Sequence, residues 1–168
     1  DDDTGPVSWG SCDQLDLLFV VDNSASMLDE QGSLVAAVPD FFTELVARSG
    51  SDDHHAMGID TDPWVFGGCG QMCSLLGNCS TAWEGFVCGE TEPLACEDVL
   101  GAGVTHPRGI DASNTNCDYQ GDHRWLSLAA TDAASRFVCA ATVGTASTVD
   151  PEVPMEAMVT AINPVAGG

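Results

Sequence analysis

Leu17-Leu18-Phe19-Val20-Val21 is an unbroken apolar run that stops abruptly on Asp22. A half-solvated strand would alternate apolar and polar residues, so a run ending in a β-branched pair reads as a strand covered on both faces, as inside parallel sheets. The chain that follows can provide such cover. Leu34, Val38, Phe41 and Leu45 recur at helical spacing, with Val35, Phe42 and Val46 widening the stripe, which predicts an amphipathic helix over residues 29–48. Pro39 removes a backbone donor from its interior and predicts a kink or a break near Val38. Turn chemistry at Ser49-Gly50-Ser51-Asp52-Asp53 ends the helix, and residues 54–62 read as a second strand with Met57 and Ile59 as its apolar members. A strand, crossover helix and parallel strand would set Asp60 and Asp62 at the same edge as the end of the first strand.

Beyond the first strand, Asp22, Ser24 and Ser26 alternate with small residues, so one short loop can turn three oxygen-bearing side chains toward a common point. Hard divalent cations accept that arrangement; magnesium takes an octahedral shell of oxygens and keeps several waters. In open α/β sheets ligands sit outside the carboxyl ends of the strands, where this loop lies. A serine serving only as a helix cap would need one hydroxyl and leave the carboxylate without a role.

In these residues the chain resembles the metal-ion-dependent adhesion site of von Willebrand factor type A domains. The wording Val20-Val21-Asp22-Asn23-Ser24-Ala25-Ser26-Met27 is most similar to secreted or lipoprotein-borne bacterial members. The resemblance covers residues 15–48, extends over 54–62 and 136–163, and leaves the Cys-rich middle uncovered. It implies a doubly wound, Rossmann-like three-layer α/β sandwich. It also implies one Mg²⁺ or Ca²⁺ ion that bridges to an acidic group on a protein partner, and a second metal loop, between two helices, that supplies a threonine. Thr148 or Thr145 fills that role, and Glu152 follows closely enough to reach the ion or its waters. A type A domain continues with a further buried strand ending in aspartate, whereas no Asp follows Asp150 here. The expectation is therefore one incomplete domain over 1–168 whose C-terminal strands are missing or come from another chain.

Charge bounds the partners. The chain carries 26 acidic residues against 4 Lys plus Arg, for a formal net charge of -22. Such a surface repels nucleic acid and anionic headgroups and attracts cations or basic partners. It also suits salty water, where counter-ions screen self-repulsion. The 8 cysteines are irregularly spaced with no Cys-x-x-Cys pair, which favours disulfides in an oxidising compartment over zinc. Cys12, Cys69, Cys73, Cys79, Cys88, Cys96, Cys117 and Cys139 are all expected in bridges, their pairing open. No apolar run reaches the about 20 residues of a membrane span. The acidic start at Asp1 fits a mature chain whose export signal has been removed, or a trimmed one. The expected location is secreted, extracellular or at the cell surface.

Residues 64–125 hold six of the cysteines and no sustained period, and read as a stapled insertion that sets partner specificity, with pieces near Trp64-Val65-Phe66 and Phe86-Val87-Cys88 pairing at the sheet edge. Within it, Asp111 to Asp118 places oxygens at alternate positions, read as an Asn- and Ser-rich turn rather than a calcium loop, and Asn78-Cys79-Ser80 meets the sequon rule. His54 and His55 are adjacent, so they face opposite ways on a strand and are read as structural or solvated. A helical run over 128–143 and a last helix over 154–162 complete the chain. No Gly-x-Ser-x-Gly elbow accompanies Ser24 or Ser26, so the reading is not an enzyme. The leading function is adhesion or ligand binding through the cation. The alternative is a structural subunit of an extracellular filament or surface assembly, a homo-oligomer completed by strand donation.

Overall fold

A computed structural model describes residues 13–61, 100–107, 110–121, 123–145 and 152–163. Cys12, Asp62, Cys69, Cys73, Cys79, Cys88, Cys96, Thr148, the sequon and the two edge pieces expected near Trp64 and Phe86 lie outside them. Strand β1 (Gln14–Val21) leads through a short 3₁₀ turn, Ala25–Met27, into helix α1 (Leu28–Arg48), and strand β2 (Asp53–Asp60) follows. The two strands are parallel, Leu17 opposite Ala56 and Val21 opposite Asp60; of the apolar run only Val21 is buried, Leu17 to Val20 being half-buried, so the double cover expected for β1 is incomplete among the described residues. Strand β3 (Leu126–Ser127) pairs antiparallel with β2, and helices α2 (Ala133–Ala141) and α3 (Pro154–Ile162) close the sequence of elements. The result is a mixed α/β fold with sheet order β1-β2-β3.

Strand alternation divides the cover. Phe19 of β1 meets Phe42 of α1 at 6.2 Å and Phe137 of α2 at 4.6 Å between ring centroids, and Phe42 meets Phe137 at 5.2 Å. The edge and tilted geometries are the favoured ones for aromatic pairs. With Val38, Ala56, Leu126 and Ala141, these rings form the core on one sheet face. The opposite face carries Leu18, His55 and Met57, against which Trp125 and the end of α3 lie around a groove of about 440 Å³. Helices thus flank both faces of the sheet.

Helix α1 runs unbroken through Pro39, so of the kink or break expected near Val38 the break does not occur. An interior proline costs about 3 kcal/mol. Here Pro39 sits on the exposed side, its carbonyl accepts the Thr43 hydroxyl at 2.8 Å, and buried Val38 and Phe42 hold the neighbouring inner face on the core. Burial of each such side chain contributes about 1.5–3 kcal/mol, enough to offset the fault.

The helical run expected from Leu128 starts only at Ala133. Leu126 and Ser127 are drawn into the ladder beside β2, and the Leu128 amide donates to His54 O at 2.8 Å, so the chain must turn before it can coil. The described second half of the expected insertion is likewise part of the body. Val104 is buried in the core and its amide donates to Gly58 O at 2.8 Å, continuing the edge of β2. Cys117 and Cys139 are joined in a disulfide that ties this segment to α2. Arg136 donates to Asp118 O and to the Asp132 carboxylate, whose hydrogen bond from the guanidinium holds it below the usual carboxylate range.

The adjacent histidines do face opposite ways. His54 is buried and bonds Ser49 Oγ, while His55 sets its ring nitrogens against Asp16 at 2.8 Å and Asp53 at 3.1 Å and packs on Trp125. Both are accounted for structurally. No helix among the described residues is long and apolar enough to cross a membrane.

Candidate functional site: the rim at the ends of the parallel strands

Because β1 and β2 are parallel and in register, Val21 and Asp60 finish side by side, and both continuations emerge at one rim. Asp22 follows β1 there. Its Oδ1 accepts the Ser24 amide at 2.8 Å, a turn that aspartate forms readily with the backbone two residues on. The turn folds the loop back so that Ser24 Oγ and Ser26 Oγ come within 3.4 Å. Asp22, Ser24 and Ser26 are therefore gathered in one loop, Asp22 and Ser24 half-buried and Ser26 exposed. The serines cap no helix through their side chains: Ser24 precedes the 3₁₀ turn without a side-chain hydrogen bond to it.

Two further segments join this loop. Asn23, 2 % exposed, and Glu152 both accept from the hydroxyl of buried Thr61, and the Val153 amide donates to Thr61 O at 3.3 Å. The sequence places Thr61 directly after Asp60, so the end of β2, the loop after β1 and the lead into α3 are knotted through one hydroxyl. Asp60 is itself buried at 4 % exposure.

The third segment is the loop after α2. Gln31, on the first turns of α1 and 6 % exposed, donates from one amide nitrogen to Asp22 O at 2.7 Å and to Gly144 O at 2.8 Å. Its Oε1 accepts the Gly144 amide at 3.2 Å. Gly144 has φ +82°, and a Cβ there would come within 2.3 Å of Ile110 O, so both backbone conformation and space require glycine. Thr145 follows. Its amide donates to Ile110 O at 2.9 Å and its hydroxyl to Asp111 Oδ2 at 2.7 Å.

Of the candidate ligands, Asp22, Ser24 and Ser26 share one loop, Asp60 and Glu152 are linked to it through the end of β2, and Thr145 is linked through Gln31. Thr145 presents its proton to Asp111 rather than to the Asp22 loop. Asp62 and Thr148 lie outside the described residues. No group of three or more His, Cys, Asp or Glu side chains able to hold a metal gathers among the described residues. The Asp22 loop by itself offers one carboxylate and two hydroxyls, oxygen ligands of the kind that hard cations take.

Gln31, Asn23, Thr61, Gly144 and Asp111 were not picked out as site residues from sequence. Gln31 had a signal: it lies one turn before Leu34 and Val35 on the stripe that continues through Val38, Phe42 and Leu45, where helical periodicity assigns an apolar residue. A polar side chain there must be satisfied in the interior. Gly144 and Asp111 carried no comparable signal, because their roles depend on segments distant in sequence. No protein-family model, curated protein or solved structure matches this chain.

Proposed function

We propose that this chain is a secreted adhesion or ligand-binding module of the von Willebrand factor type A kind. In this reading it coordinates one Mg²⁺ or Ca²⁺ through Asp22, Ser24 and Ser26, and a carboxylate from a protein partner completes the shell. The observation that carries the proposal is the rim itself: a carboxylate and two hydroxyls in one turn at the ends of parallel strands, with three loops fastened around it. An ion held by few protein ligands keeps waters that an incoming carboxylate can replace.

The type A sandwich is the fold proposed for the whole domain, consistent with parallel β1 and β2 and helices on both faces. Secretion is supported by the Cys117–Cys139 bridge, because disulfides persist where the surroundings oxidise. Calorimetric titration of Mg²⁺ and of Ca²⁺ into the intact chain and into Asp22→Ala tests the proposal. Saturable one-site binding is expected in the first and none in the second. The substitution removes one acid of 26, so diffuse cation binding to the acidic surface survives it and cannot imitate the result. Equal affinity in the two proteins would dismiss the cation reading.

One observation favours an assembly role instead. Met155, Val159 and Ile162 line one side of α3 and are 67 %, 52 % and 66 % exposed. Contiguous exposed apolar side chains mark contact surfaces. Regular fibres or lattices in electron micrographs of the purified chain would favour a structural subunit, and a field of single particles would count against it.

A further inference from the structure

Gln31 is nearly excluded from solvent, yet three of its hydrogen-bonding positions are used, all on backbone atoms of two loops that are remote in sequence. Among the described residues the other hydrogen bonds of the Gly144–Thr145 segment go to Ile110 and Asp111, not to the Asp22 loop. The amide nitrogen shared between Asp22 O and Gly144 O fixes how far apart these two carbonyls sit. It thereby fixes the spacing of the cation loop from the loop bearing Thr145. A helix residue is suited to this because α1 is anchored on the core through Val38 and Phe42, which gives the amide a rigid base.

We infer that Gln31 is the positioning residue of the rim, coupling order in the Val143–Thr145 loop to cation occupancy at Asp22, Ser24 and Ser26. The inference rests on the cation reading above and deepens it. Among the described residues the hydrogen bonds of Gln31 reach backbone atoms only, so it acts through the backbone on either side. Coupling of this kind is reciprocal: if the clamp favours the cation, the cation must favour the clamp. Outer partners that orient ligands typically change metal affinity by about 10–100-fold when removed.

Amide hydrogen exchange at Gly144 and Mg²⁺ calorimetry, made on the same samples, test it. Gln31→Met keeps the side-chain length and apolar bulk but removes donor and acceptor. It is expected to speed exchange of the Gly144 amide at least tenfold and to weaken Mg²⁺ by about 10–100-fold. Leu126→Ala, which opens a cavity in the core away from α1 and the rim, is the stability control and should lower the melting temperature while leaving both readings unchanged. The unsubstituted chain gives an independent measurement, since saturating Mg²⁺ should slow Gly144 exchange. This decides the matter even where Gln31→Met does not fold. Unchanged Gly144 exchange in Gln31→Met would overturn the clamp whether or not a cation binds. Faster exchange with unaltered Mg²⁺ affinity would overturn the coupling alone. Absence of Mg²⁺ binding to the unsubstituted chain would overturn the cation reading and the coupling with it, leaving the clamp to be judged on exchange.

Discussion

Tyr119 carries a buried hydroxyl that meets no hydrogen-bond partner among the described residues. Burial raises its phenol above the ordinary value, because the charged form would have to exist without solvation. The raised folded-state value means that any stability tied to this group is complete below about pH 10, where the unfolded phenol titrates, and is lost as pH climbs above it. Removing an unsatisfied hydroxyl should help rather than harm, since its desolvation penalty goes with it. Tyr119→Phe is therefore expected to be more stable at pH 7 by about 1 kcal/mol and to lose less on going to about pH 11. Urea denaturation of both proteins at the two pH values measures this, and parallel losses above pH 10 would refute the account. Gly144 and Gln31 show the reverse case, where polar backbone and amide groups are buried because each has found its partner.

Helix α2 depends on the bridge from Cys117 to Cys139 as well as on its buried face of Ala133, Phe137, Ala140 and Ala141. The bridge closes a loop with a sequence separation of 22 and joins the irregular stretch 110–121 to the helix that precedes the Gly144 loop. A loop of that size constrains the unfolded chain by about 3 kcal/mol in the chain-entropy account. The double variant Cys117→Ser with Cys139→Ser should lose about that much in chemical denaturation without reductant, and a loss below about 1 kcal/mol would show that other contacts hold the segment. The prolonged α1 makes a related point about elements. Pro39 disfavours helix locally, and the helix persists because packing of Val38 and Phe42 rewards it more than the missing bond costs.

At the scale of the molecule, a formal net charge of -22 against very few cationic side chains makes self-repulsion the dominant long-range force. The Glu44–Arg48 pair is exposed and contributes little. Salt should relieve the repulsion, because the screening length falls from about 10 Å at 0.1 M to about 3 Å at 1 M. Thermal denaturation across that range is expected to show a rising melting temperature that flattens as screening saturates. A melting temperature insensitive to NaCl would indicate that the acids are too dispersed to strain the fold. The same field concentrates cations around the rim, so metal titrations should be compared at one ionic strength.

Local residue order determined the parallel pair and the carboxylate loop: a strand, a crossover helix and a second strand pair in parallel, and Asp22, Ser24 and Ser26 are close in chain as well as in space. The stripe on α1 and the opposed directions of His54 and His55 follow from period alone. Tertiary structure decided the rest. It placed β3 against β2, delayed α2, carried the helix past Pro39, chose Cys139 as the partner of Cys117, and brought Gly144 and Asp111 to the rim. The reason is physical: periodicity and turn chemistry act over a few residues, whereas hydrogen-bond partners separated by more than a hundred positions are selected only when packing has brought their segments together.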